Sequence, residues 1–148
     1  MGALLILLIT FIIPGCGGKV SLSDDSVRIR KISDFVNGVK KLCEQRDDHI
    51  FSMFSPEYLE TSKELREAIQ KDIEKFNNIA LNILIDRIEI NDGIGNISMH
   101  WNGSWKDDKK TYREGGSLVL IISYGESVRI TGIKGDSPFG ISRILHDN

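Results

Sequence analysis

The chain predicts an α+β domain in which N-terminal helices pack on one face of a curved, four-stranded antiparallel sheet. Three observations carry this expectation. Apolar residues recur at three-to-four spacing as far as Ile79, the period changes to alternation after Ala80, and short turn signals separate the alternating segments. Helices followed by sequential strands suit segregated layers rather than parallel βαβ units. A length of 148 residues accommodates one such domain without disulfides or metals. Net charge is −2, and the basic residues alternate with acids instead of clustering, which excludes a nucleic-acid-binding surface.

Ser23, Asp24 and Asp25 offer a cap and an acidic first turn for the first helix. Arg28, Ile32, Phe35, Val36, Val39, Leu42 and Cys43 then follow at helical spacing to an end near Gln45. Cys43 lies on that stripe and reads as a small buried hydrophobe, with no partner for a structural disulfide once Cys16, the other cysteine, carries a lipid. Asp47 and Asp48 restart the chain into His49–Phe54, and Ser55-Pro56 opens one more helical turn. Thr61-Ser62-Lys63-Glu64 reads as a capping box before a helix from Ser62 to about Asn78, whose stripe is Leu65, Ala68, Ile69, Ile73, Phe76 and Ile79.

In the first strand Leu84, Ile88 and Ile90 share a side, interrupted by Asp86, and Asn91-Asp92-Gly93 supplies a tight turn. The second places Ile97, Met99, Trp101 and Trp105 on one face, with Asn96, Ser98, His100, Asn102 and Ser104 on the other. Gly103, between the tryptophans, is expected to form a bulge or bend. Thr111–Tyr124 is a long strand, apolar on both sides from Leu118 to Ile122 and therefore central. The last strand, 127–133, alternates Val128, Ile130 and Gly132 against Arg129, Thr131 and Ile133. The tail from Lys134 contains Gly135-Asp136-Ser137-Pro138-Phe139-Gly140 and a short end, 141–148, that is expected to be loosely ordered.

Ahead of the domain, Ala3–Ile13 is an 11-residue apolar run, about half the ~20 residues that span a bilayer as a helix. It fits the apolar region of a signal peptide, 1–15, although a buried N-terminal helix would share the pattern. Ile13-Pro14-Gly15-Cys16-Gly17-Gly18 resembles a bacterial lipobox, with Ile13 at the large apolar position and Gly15 at the small one. The resemblance implies that Cys16 carries the lipid and that 16–23 is a tether to a domain at 24–140. The implied location is the bacterial envelope. Gly17, where an aspartate would signal inner-membrane retention, favours the outer membrane.

Chemistry-bearing residues are sparse. Asp86 is the one acid inside an apolar strand pattern, expected to pair with Arg87 or Arg113 or to be exposed, and Tyr58 and Tyr112 are phenols that could accompany it. His49, His100 and His146 stand at no metal-ligand spacing, and no glycine pattern cradles phosphate, so neither metal nor cofactor is expected. Phe54, Met99, Trp101 and Trp105 either line an apolar pocket or pack the core.

From Asp24 to Gly140 the residues resemble the nuclear transport factor 2-like superfamily, a cone-shaped α+β fold also used by ketosteroid isomerase and scytalone dehydratase. The resemblance is carried by the order of four pieces: Arg46–Leu59; Trp101-Asn102-Gly103-Ser104-Trp105; Gly116 with Leu118-Val119-Leu120; and Val128-Arg129-Ile130 with Gly135–Gly140. The fold hosts enzymes, binding modules and dimerisation domains alike. The expected role is an anchored, non-catalytic domain that binds a small apolar ligand or an envelope protein. The alternatives are an isomerase- or dehydratase-type enzyme using Asp86 and an envelope homodimer formed through the sheet.

Overall fold

A computed structural model describes residues 24–145; Cys16, the preceding apolar run and His146 lie outside them. The elements run α1 (Asp24–Gln45), a 3₁₀ turn (Asp48–Met53), α2 (Pro56–Thr61), α3 (Lys63–Lys75), β1 (Asn78–Asn91), β2 (Ile94–Lys106), β3 (Thr111–Tyr124), β4 (Val128–Gly135) and α4 (Ile141–Ile144). The strands form one antiparallel meander in the order β1-β2-β3-β4, a curved, unclosed sheet with the helices against its inner face.

Local chemistry explains most boundaries. Asp47 and Ser55 accept the N–H groups of His49 and Tyr58 and so start the 3₁₀ turn and α2, with Pro56 in the first turn. Ser62 caps α3 without a side-chain bond, so the expected capping box does not form; α2 runs to Thr61 and leaves no room for it. Asp92 and Gly93 both have positive φ, as a two-residue hairpin turn of the primed kind requires. Across β2–β3, Asp107 accepts the N–H groups of Lys109 and Lys110, each at 2.8 Å.

Two bulges correct the strand faces. β1 has one between Ile85 and Arg87, where Asp86 is the additional residue. Ile79, Leu81, Ile83 and Ile85 face inward before it and Ile88 and Ile90 after it, while Leu84 is 64% exposed rather than beside them. β4 has the other, at Thr131, because Ile121 pairs with Gly132 and Ile122 with Ile130. Ile133 thereby joins Ile130 on the core side. No register shift occurs at Gly103, so of the expected bulge or bend the bulge does not form. The glycine instead makes room for its neighbours, since a Cβ there would lie 2.7 Å from the Trp105 ring and 2.8 Å from Leu81.

The chain end is also ordered, as far as residue 145. Phe139, Gly140, Ile141 and Ser142 are buried. Buried Asp72 in α3 explains why. Its Oδ2 accepts the N–H groups of Gly140 and Ile141, and its Oδ1 accepts that of Ser142, at 2.6, 3.0 and 2.8 Å. Those are the first donors of α4, which no side chain of the short helix itself could satisfy.

Candidate functional site

Inside the cone the tryptophan side of β2 shares one core cluster with residues of α1, α3 and the 3₁₀ turn. Trp105, Phe54, Met99 and Trp101 are at most 5% exposed there, together with Phe76, Ile32 and Ile130. Trp105 lies edge-on to Trp101, with ring centroids 5.9 Å apart. The indole N–H of Trp101 donates to the carbonyl of Asp136 at 2.7 Å, whereas that of Trp105 has no partner among the described residues. Side chains therefore occupy the interior where an apolar pocket was one of the two expected outcomes.

Open space lies instead on the flank. A cleft of about 830 Å³ runs between α2, the start of α3, the end of β4 and α4. Its apolar wall comes from Tyr58, Leu65, Ala68, Ile133, Phe139 and Ile144, and two acids, Glu60 and Glu64, and two cations, Lys63 and Arg143, bring charge to it. Phe54 supports this wall from below: its ring stacks with Tyr58 at 6.4 Å and meets Phe139 edge-on at 5.7 Å. Arg143 reaches across the rim, donating to the Glu64 carbonyl at 3.2 Å and lying 3.4 Å from its carboxylate. That pair is half to mostly solvent-exposed, so it holds the rim weakly and can exchange for another acid.

Of the residues singled out in the sequence, Tyr58 alone lines this cleft. Asp86 sits on the opposite side of the sheet, on its bulge, where its carboxylate meets Nδ1 of His100 at 2.5 Å. Neither Arg87 nor Arg113 is its partner; Arg87 lies 3.5 Å from Glu89. Ser117, directly across from His100, and Lys134 share a shallow groove with this pair. Tyr112 is remote from both places. Its hydroxyl donates to Asp107 at 3.0 Å and its ring packs against Phe76, and partial burial followed by the Asp107 carboxylate pushes that hydroxyl up. Asp107 is held below the usual carboxylate range by the N–H groups of Lys110 and Lys109. Asp47 is lowered likewise, chiefly by the N–H of His49.

The cleft's other members carried no sequence signal. Leu65 and Ala68 read as core stripe, Ile133 shares the face of Arg129 and Thr131 in a plain alternation, and Arg143 and Ile144 fall in a stretch expected to be loose. Among the described residues no group of three or more His, Cys, Asp or Glu could hold a metal, and no helix is long and apolar enough to cross a membrane.

Known structures place this architecture. A crystal structure of a candidate scytalone dehydratase from Novosphingobium aromaticivorans superposes with TM-score 0.61 at 10% identity, covering 76% of this chain and 87% of that one. A nuclear transport factor 2-like superfamily protein from Salmonella enterica serovar Typhimurium gives 0.58 at 12% identity, over 77% and 93% of the two chains. The chain has the nuclear transport factor 2-like fold. A nuclear transport factor 2-like protein from Shewanella oneidensis adds a TM-score of 0.52 at 14% identity, covering 74% of this chain and 99% of that one. No protein-family model and no curated protein matches the sequence. At these identities the likeness concerns the backbone arrangement, and the nuclear transport factor 2-like scaffold leaves function to its side chains.

Proposed function

We propose that this protein is a bacterial envelope lipoprotein, anchored through Cys16, whose nuclear transport factor 2-like domain binds a ligand or a partner without catalysing a reaction. The observation that supports binding is where the open volume lies. The interior of the cone is filled by Phe54, Met99, Trp101 and Trp105, while the flank carries a cleft with an apolar wall and the cations Lys63 and Arg143 at its rim. Such a lining suits an amphipathic molecule with an apolar body and an acidic group, which would displace Glu64 from Arg143. The Ile13–Gly18 motif supports the anchor, and Gly17 supports the outer membrane as its address.

Two measurements test the reading. Cells fed a labelled fatty acid should incorporate it into the wild-type chain and not into Cys16→Ser. Protein taken from its native membrane should carry small molecules, identified by mass spectrometry of its extract, that Ile144→Glu and Arg143→Glu lose. Equal labelling would remove the anchor, and equal retention would remove the cleft.

A second reading, an isomerase- or dehydratase-type enzyme, has its own support: Asp86 and His100 form a carboxylate–imidazole pair within reach of water, and one structural neighbour is described as a candidate dehydratase. A turnover that Asp86→Asn abolishes, with folding intact, would establish it over binding alone.

A further inference from the structure

The end of the domain from which the tether departs is built differently from the rest. All seven residues from Asp24 to Arg30 are exposed, so about 10 Å of α1 stands clear of the sheet. Two strand connections reach the same end. Lys31, one turn further along α1, donates to the carbonyl of Gly125 at 2.6 Å and lies over the Tyr124 ring. The N–H of Tyr124 in turn donates to Gly93 at 2.6 Å, and Ser123 pairs with Ile94. The start of α1, the β1–β2 turn and the β3–β4 turn are therefore neighbours. Val27, Ile29 and Ile94, each at least 50% exposed, stand at this end. Leu84 and Ile144 are the other exposed large hydrophobic residues among those described.

We propose that this end rests on the lipid surface, with Val27, Ile29 and Ile94 entering its interfacial layer. The inference depends on the lipid at Cys16 proposed above, because the tether is what selects the occupant. Residues 17–23 reach ~25 Å when fully extended. A small domain is ~30 Å across, so its far side lies beyond the tether's reach and the α1 end stays next to the bilayer.

Charge at this end specifies the kind of contact. Asp24, Asp25, Asp92 and Glu126 offset Arg28, Arg30 and Lys31, so attraction to anionic headgroups contributes little. Insertion of apolar side chains carries the contact, while the long stems of Arg28 and Arg30 lie along the interface with their heads in water. This orientation also sets what the cleft meets. β4 starts at Val128 near the membrane and brings Ile133 and Gly135 to the cleft roughly 20 Å further along. The cleft faces the aqueous side, and its ligand arrives through water rather than from the bilayer.

The test uses the acylated full-length chain in vesicles of phosphatidylethanolamine and phosphatidylglycerol. An environment-sensitive fluorophore is attached at Ile29→Cys, Ile94→Cys or, at the cleft, Glu60→Cys; native Cys43 is buried and spared. Nitroxide-labelled lipid should remove most emission at 29 and 94 and leave 60 bright, to the same extent when the phosphatidylglycerol is omitted. Acylated, vesicle-bound protein with 29 and 94 as bright as 60 would overturn the docking and leave the anchor standing. A chain that neither takes up fatty acid nor floats with vesicles would remove the anchor and the docking together. Shielding at 29 and 94 that grows with protein concentration in the absence of vesicles would assign this end to a second copy instead.

Discussion

Asp72 Oδ2 accepts the backbone N–H of Ile141 at 3.0 Å, joining the last turn of α3 to the last helix described, 69 residues later. With Gly140 and Ser142 as further donors, one buried carboxylate fixes the segment that forms a wall of the cleft.

Asp72→Asn should therefore do more than remove a charge. An amide keeps one acceptor oxygen and turns an NH₂ toward a backbone N–H. The expected loss is about 2 kcal/mol in denaturant unfolding, with amide exchange of Gly140–Ser142 accelerated more than that of β2. Unchanged exchange at 140–142 would mean that the end of the chain is held by burial of Ile141 alone.

The bulge at Asp86 makes a prediction about deletions. Ile85 faces inward, Asp86 and Arg87 outward, and Ile88 inward again, so removing Asp86 restores plain alternation. Deletion of Asp86 should leave a cooperatively folding protein, weaker by about 1 kcal/mol and without the His100 pair. Deletion of Ile88 turns Glu89 and Asn91 inward and should abolish the thermal transition seen by circular dichroism. Similar melting of the two variants would contradict the register.

Cys43 should be inert while the protein is folded. Burial first, then the nearby Asp72 and Glu44 carboxylates, push its thiol up to about 12. At pH 8 the thiolate fraction is then on the order of 10⁻⁴, and solvent has little access to it. A disulfide reagent should leave native Cys43 unmodified over the time in which denatured protein reacts fully.

The β2–β3 turn supplies a pH test. Asp107 has its folded value lowered, so its contribution to stability is present above the ordinary carboxylate range and is lost as pH falls through the lowered value. Asp107→Asn should be destabilised relative to wild type at pH 7, and the difference should vanish at a pH low enough to protonate Asp107 in the native protein. Paired denaturant titrations at the two pH values measure it. A gap that persists in acid would assign the effect to the altered turn geometry rather than to the charge.

How far the sequence could be read follows from what each signal measures. The stripe Ile32, Val36, Val39 and Cys43 and the alternation Ile97, Met99, Trp101 and Trp105 report burial directly, and both are core. A strict period of two counts straight through a bulge and so puts Leu84 with Ile88 and Ile90, and a bulge residue such as Asp86 looks like any exposed polar residue. Thr131 hid the inward turn of Ile133 in the same way. The cleft was the least legible part. It forms where α2, α3, β4 and α4 meet, and Asp72, the residue that brings α4 there, stood in the sequence as one more acid on a charged helix. Asp86 and Tyr58 are compatible with one site in the sequence, yet the sheet stands between them, a separation that depends on which way each strand faces.

The meander leaves two outer strands, and they are guarded unequally. Along β4 the turn before α2 lies against the edge, with Phe54 bridged to Ile130 and the N–H of Ser55 donating to its carbonyl. On β1, Glu44 satisfies the N–H of Leu81, and the kink at Asp86 follows five residues later. A visiting strand aligned with the first half of β1 would be out of step with the second, so neighbouring copies cannot zip together along its length. One surplus aspartate thus works against the growth of continuous intermolecular sheets.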